Sequence, residues 1–232
     1  MVNLLLASTS TIHGGKYLDY LKDEVVEHFA KAQNLYFIPF ARPGGMSHDD
    51  YAKLACEKFG EWGLNMRGLH TAEDMKTALQ QADGIFTGGG NTFVLVKQLY
   101  ELGLMTILKE RVQSGMPYMG SSAGSNLAGM SVRTTNDMPI VYPPSFDALA
   151  AVPFNINPHY LDPQEGSKHM GETRETRIKE FHHFNQQPVL GLREGSWLRV
   201  SNDKVFLKGK LSARLFRQGS APTELSPGEI HI

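Results

Sequence analysis

Over its first 125 or so residues the chain alternates short apolar runs with longer amphipathic segments, which points to an α/β fold with a mostly parallel sheet sandwiched by helices. Leu4 to Ala7, Leu35 to Phe40, Met66 to His70, Gly84 to Thr87 and Tyr118 to Ser121 are the predicted strands. Tyr17 to Ala32, Ser47 to Trp62, Ala72 to Gln81 and Asn91 to Ser114 carry helical spacing, the last interrupted near Gly103. Ser47 ahead of Asp49 and Asp50 supplies a capping hydroxyl and early acids, both suited to the amide end of a helix. At 232 residues the chain is read as a single domain with a substantial core. Ligands of such sheets sit beyond the carboxyl ends of the strands.

The second half changes character. Pro139, Pro143, Pro144, Pro153, Pro158 and Pro163 punctuate it, and loops that build a pocket are expected there. A helix is predicted from about Glu172 to Phe184, then a strand at Val189 to Leu192 and a hairpin from Trp197 to Lys210 that turns at Ser201-Asn202-Asp203.

A formal net charge of -1 leaves no electrostatic footprint for nucleic acid or an anionic membrane. Val2 to Ala7 is too short for a signal peptide's apolar region, and no run approaches the ~18 apolar residues of a spanning helix. Cys56, the lone cysteine, excludes an internal disulfide framework, so a reducing cytoplasm is the expected compartment.

Gly120-Ser121-Ser122-Ala123-Gly124 fits G-x-S-x-G, after an apolar strand and before a helix beginning Ser125-Asn126-Leu127-Ala128. Small neighbours permit a sharp turn that lifts a serine hydroxyl into solvent, and the spacing selects Ser122 over Ser121. The bland reading is a tight connection whose small residues serve packing. A serine nucleophile needs a base within hydrogen-bond reach and a third group to orient that base. Among nine histidines, His28 and His48 fall on helix faces, His182 and His183 at a helix end, and His231 in the tail. His159 differs, because Asn155-Ile156-Asn157-Pro158-His159-Tyr160 is a Pro-bounded segment in the pocket half. Glu194 follows a short apolar strand and could reach the pocket edge, although a solvated turn residue reads nearly as well. Gly88-Gly89-Gly90-Asn91 follows another strand and opens a helix. Its spacing matches neither G-x-G-x-x-G nor a P-loop, and an oxyanion role beside the Ala123 N–H is favoured.

Taken in order, Ile38-Pro39-Phe40-Ala41, Gly88 to Phe93, Ser122 to Asn126, Thr134 to Ile140, Asn157-Pro158-His159, Gly171 to Glu175 and Glu194-Gly195 resemble peptidase E, the aspartyl dipeptidase family of serine peptidases. The resemblance covers most of the chain. It implies a fold related to class I glutamine amidotransferases and a metal-free Ser-His-Glu triad at Ser122, His159 and Glu194 that cleaves dipeptides with N-terminal aspartate. Two positions depart from the family's pattern: Ser121 stands where Trp is frequent, and Arg193 where Pro is common.

The expected chemistry is acyl transfer with Gly89, Gly90 and Ala123 as oxyanion candidates. Arg174 is the candidate for gripping the substrate's side-chain carboxylate, its alternative being a surface arginine paired with Glu172 or Glu175. Asp137, with Asn91, Thr134 and Thr135, is the candidate for the ammonium and other polar contacts. No cofactor or metal site is expected, since adjacent His182 and His183 lack the i, i+4 spacing of H-E-x-x-H. The expected partner is a small peptide, and the chain acts as a monomer or homodimer. A small-ester hydrolase is the rival reading: it uses the same nucleophile without needing Arg174.

Overall fold

The computed structural model describes residues 1–163 and 171–232. Its strands are β1 (Asn3–Ala7), β2 (Leu35–Ile38), β3 (Met66–Gly68), β4 (Gly84–Thr87), β5 (Tyr118–Ser121), β6 (Asn155–Pro158), β7 (Val189–Leu192), β8 (Trp197–Ser201), β9 (Lys204–Lys208), β10 (Ala213–Phe216), β11 (Thr223–Leu225) and β12 (Gly228–Ile230). Its helices are α1 (Lys22–His28), α2 (His48–Gly60), α3 (Met75–Gln80), α4 (Thr92–Glu101), α5 (Met105–Gln113), α6 (Ala123–Leu127) and α7 (Arg174–Phe181). Eight strands form one sheet in the order β12-β9-β8-β1-β5-β4-β2-β3, and four form a second in the order β11-β10-β7-β6.

From β1 to β3 the large sheet is parallel, whereas β8, β9 and β12 add to it antiparallel. Successive residues of a strand point to opposite faces, so an all-apolar strand feeds two cores. In β1, Leu4 and Leu6 join the cluster that holds α4 and α5 residues Leu95, Leu99 and Leu108. Leu5 and Ala7 join Val25 of α1 and Phe59 of α2 on the other side. In β2 the same division puts Tyr36 and Ile38 on the first face, with Leu35 and Phe37 on the second.

The predicted helices appear with trimmed ends. Ser47 caps α2, accepting from Asp50 N at 3.0 Å, and Asp74 caps α3. The long pattern from Asn91 to Ser114 divides at Gly103, whose φ of 67° and the Leu104 N to Leu99 O bond of 2.8 Å end α4 before α5 begins. The pattern from Tyr17 yields a 3-10 turn over Asp19–Leu21 and an α-helix only from Lys22, because fully buried Leu18 adopts a left-handed conformation and donates from its N–H to Ser10 O at 2.7 Å. Predicted strand Leu35 to Phe40 stops at Ile38, whose neighbour on β4 is Thr87, the last residue before the glycine run. Met66 to His70 stops at Gly68 and enters a 3-10 turn. The pocket-half helix spans Arg174–Phe181, shorter than predicted, with Thr173 as its cap.

The hairpin of β8 and β9 turns through Asn202 and Asp203, with Ser201 opposite Lys204 and Asn202 at φ 56°. The proline-rich half contributes the second sheet as well as loops, and the C-terminal segment builds β10 to β12, which no sequence signal announced. Among the described residues no helix is long and apolar enough to cross a membrane.

Candidate active site

Ser122 lies between β5 and α6 at φ 53° and ψ -111°, a conformation that costs a non-glycine residue energy and persists only where its surroundings enforce it. Its N–H donates to Ala7 O at 3.1 Å, and its carbonyl accepts from Ser125 N at 2.9 Å and Asn126 N at 3.0 Å. Ser125 Oγ donates to Ala7 O at 2.7 Å and contacts Gly120 O at 2.9 Å, tying the turn to β1. The flanking glycines are steric requirements. A Cβ on Gly120 would lie 2.4 Å from Gly124 O, and one on Gly124 would lie 2.2 Å from Thr87 O.

His159 follows β6 and Glu194 comes two residues after β7. These strands are parallel, with Pro158 opposite Leu192, so the register brings both side chains out at one sheet end. His159 Nε2 is 3.0 Å from Ser122 Oγ, and Nδ1 is 2.6 Å from Glu194 Oε1. With Glu194 ionised, Nδ1–H donates to the carboxylate and Nε2 is left to accept the serine proton. The sequence motif thus meets its two partners across 37 and 72 residues of chain.

Two residues to which the sequence reading gave no supporting role hold this line in place. Ser8 Oγ, fully buried, donates to Leu192 O at 2.7 Å and accepts from His159 N at 2.9 Å. Arg193, beside Glu194, is clamped by Asp162 through contacts of 2.7 and 2.8 Å and by Glu224 through contacts of 2.9 and 3.0 Å. Where proline would stiffen the backbone, this side chain anchors it through ion pairs. Neither role carries a local signal, since the partners lie 19 or more residues away.

The glycine run after β4 abuts Ser122. A Cβ on Gly89 would stand 3.0 Å from Ser122 Cβ, and Gly90, at φ 145°, leaves no room for one, with Ala41 O only 2.2 Å away. Gly89 N–H, one of the expected oxyanion donors, points instead to Tyr51 Oη at 2.9 Å. Ala123 opens α6, and its N–H has no carbonyl to meet within the helix.

Several expected substrate contacts are engaged within the protein. Asn91 Oδ1 caps α4 by accepting from Phe93 N and Val94 N, each at 3.1 Å, and its Nδ2 donates to Met138 O at 2.9 Å. Asp137 Oδ2 accepts from Thr92 N at 2.7 Å and from Thr135 Oγ1 at 3.1 Å. Asn157 Nδ2 donates to Thr134 O at 2.7 Å and to Asn136 Oδ1 at 2.9 Å, which draws this loop to β6. Thr134 Oγ1 and Arg174 Nη1, by contrast, are buried without a hydrogen-bond partner among the described residues, and both residues line one cavity of about 40 Å³ with Arg133, Asn136, Asn157 and Arg177. Burial and neighbouring Arg177 lower the pKa of the Arg174 guanidinium, while the Glu194 and Asp137 carboxylates oppose the shift. Glu172 pairs with Arg177, and Glu175 with Lys179 and Arg214, so the surface-pair alternative for Arg174 is not realised among the described residues. Those residues also contain no group of three or more His, Cys, Asp or Glu side chains placed to hold a metal.

Comparison with known proteins agrees with this architecture. A relative from Streptomyces coelicolor named "Peptidase E" is 51% identical over 98% of this chain and 92% of its own length. A Drosophila melanogaster relative named "Probable alpha-aspartyl dipeptidase" is 49% identical over 97% of this chain and 94% of its own. The crystal structure of a peptidase from an acI-B1 actinobacterium superposes with a TM-score of 0.75 at 17% identity, covering 100% of this chain and 97% of that one, which shows a shared fold. The model of Peptidase family S51 matches residues 4–208, and the chain belongs to that family.

Proposed function

We propose that this chain is a serine-type dipeptidase that hydrolyses dipeptides with N-terminal aspartate, its 232 residues forming one catalytic domain. The observation that carries the reading is the bridging of Ser122 Oγ and Glu194 Oε1 by one imidazole, at 3.0 and 2.6 Å. His159 takes the proton as Ser122 Oγ attacks the peptide carbonyl, and the Gly90 and Ala123 N–H groups hold the oxyanion. Glu194 keeps the tautomer and stabilises the imidazolium. The C–N bond then breaks as His159 protonates the leaving amine. Water, losing its proton to His159, attacks the acyl-enzyme and releases aspartate, and the proton returns to Ser122.

The buried, unpaired Arg174 Nη1 and the unpaired Thr134 hydroxyl beside it support a seat for the substrate's side-chain carboxylate. Asp137, whose Oδ2 is held by Thr92 and Thr135, offers its other oxygen to the ammonium. Asn91 and Thr135 serve the site by fixing Asp137 and the glycine loop. The names of relatives about half identical over nearly the full chain point the same way. The free Cys56 thiol suits a reducing compartment such as the cytoplasm.

Hydrolysis of Asp-Leu, Ala-Leu and a short-chain ester with EDTA present tests the reading in wild type, Ser122→Ala and Arg174→Ala. Cleavage of Asp-Leu that is metal-independent, lost in Ser122→Ala and no longer selective over Ala-Leu in Arg174→Ala is the expected result. Cleavage of the ester alone would retain the triad and overturn the substrate. Wild-type activity in Ser122→Ala would overturn the nucleophile.

A further inference from the structure

The three triad side chains come from two different sheets. Ser122 follows β5 of the eight-stranded sheet, whereas His159 and Glu194 follow β6 and β7 of the four-stranded one. A 3.0 Å contact between Oγ and Nε2 therefore depends on how the two sheet ends are fastened together.

The fastening lies at Ala7 and Ser8, the end of β1 and the residue after it. Ala7 O accepts from Ser122 N at 3.1 Å and so holds the nucleophile turn. One residue on, Ser8 crosses to the other sheet, donating from Oγ to Leu192 O at 2.7 Å while accepting from His159 N at 2.9 Å. Its own backbone is set by Ser8 N to Ser196 O at 3.1 Å. The hydroxyl meets an acceptor and a donor at once, which no apolar side chain of that size can do. It meets them at the two strand ends that carry the base and its orienting acid. His159 stands at φ 52°, an uncommon conformation for a non-glycine residue, and its N–H bond to Ser8 helps enforce it.

We infer that Ser8 is a positioning residue for catalysis: its hydroxyl sets His159 and the β7 end against the Ser122 turn, without touching substrate. The inference rests on the Ser122, His159 and Glu194 reading. Loss of the hydroxyl leaves His159 N–H facing a buried gap and Leu192 O with Tyr160 N–H alone at 3.1 Å, and lets the imidazole drift from both neighbours. Since misplacement of about 1 Å can cost two orders of magnitude in rate, Ser8→Ala should lower kcat by about 10- to 100-fold, leaving KM within about twofold.

The test measures kcat and KM on Asp-Leu, the pH profile of kcat/KM, fluorophosphonate labelling of Ser122 and thermal unfolding for wild type, Ser8→Ala, Ser8→Thr and Ser122→Ala. Ser8→Ala is expected to lose kcat and labelling rate together. Its acid limb should move to lower pH, because a loosened Glu194 favours the imidazolium less. Ser8→Thr, which keeps the hydroxyl, should recover most of the rate. A folded Ser8→Ala with kcat within twofold of wild type and an unmoved acid limb overturns the inference, whatever its melting temperature. Should Ser8→Ala not fold, Ser8→Thr decides: full turnover with the wild-type acid limb supports the inference, and a folded, soluble Thr variant without turnover overturns it. An active Ser122→Ala would instead remove the triad reading beneath it.

Discussion

Replacing Glu194 by Gln isolates the charge of the orienting acid. The carboxylate lies 2.6 Å from His159 Nδ1 and its side chain is 48% exposed. The positive charge that His159 acquires in the transition state is centred about 4 Å from the carboxylate, where the attraction is about 1 kcal/mol in water and about 4 kcal/mol at the effective dielectric of a protein surface. Half exposure places Glu194 between these limits, so Glu194→Gln should lower kcat by about 5- to 1,000-fold, centred near 100-fold, with KM little changed. Added salt should narrow the gap between wild type and variant only slightly, because an N–O contact this short is far inside the Debye length. The assay is steady-state hydrolysis of Asp-Leu, with Asp137→Asn as comparison. Asp137 Oδ2 is occupied by Thr92 N and Thr135 Oγ1, so its variant, which keeps one acceptor oxygen but loses the negative charge beside the amide end of α4, should also lower melting temperature slightly. A Glu194→Gln enzyme with undiminished kcat would refute the reasoning, because the 2.6 Å contact would then contribute nothing to the imidazolium.

Burial, aided by Arg199 and opposed by the Tyr118 carbonyl, lowers the pKa of His28 from 6.5 to about 3. The folded value is depressed, so the unfolded chain binds the proton first: this contribution is complete above about pH 6.5, has lost about 2 kcal/mol by pH 5, and continues to fall toward about pH 3. Urea unfolding at pH 7.5 and 5 should show the loss in wild type and a smaller one in His28→Gln, whose amide can donate to Tyr118 O without titrating; equal losses would contradict it. In Gly124→Ala the new methyl would meet Thr87 O at 2.2 Å and push α6 away from β4. A destabilisation of about 1–3 kcal/mol in urea, with slower fluorophosphonate labelling of Ser122, is expected, and an unchanged midpoint would show that the turn has slack.

Much of the large sheet was legible because its strands are short, apolar and buried on both faces, and the turn at Ser122 was legible because its residue pattern is contiguous in sequence. Five consecutive residues contain the glycines that the turn sterically requires. His159 and Glu194 could only be nominated by context: a Pro-bounded loop and a strand end hold many such residues. Gly89 was expected to donate to an oxyanion and is turned to Tyr51, a side chain 38 residues earlier. Nothing near residue 8 marks a link to residues 159 and 192. Of the second sheet only β7 was foreseen; β6 and the strands after Lys210 escaped notice because their apolar runs are brief and their pairing is non-local.

By itself, then, the sequence determined the α/β alternation, the helix cap at Ser47 and the break at Gly103, consequences of interactions between residues near in the chain, and it marked the serine turn by its glycine pattern. Only the tertiary structure decided which histidine faces the serine, which acid orients it, and that Arg174 keeps a buried nitrogen unpaired among the described residues. Those outcomes depend on strand register and on the docking of two sheets, where hydrogen bonds a few ångströms long join residues tens to nearly two hundred positions apart.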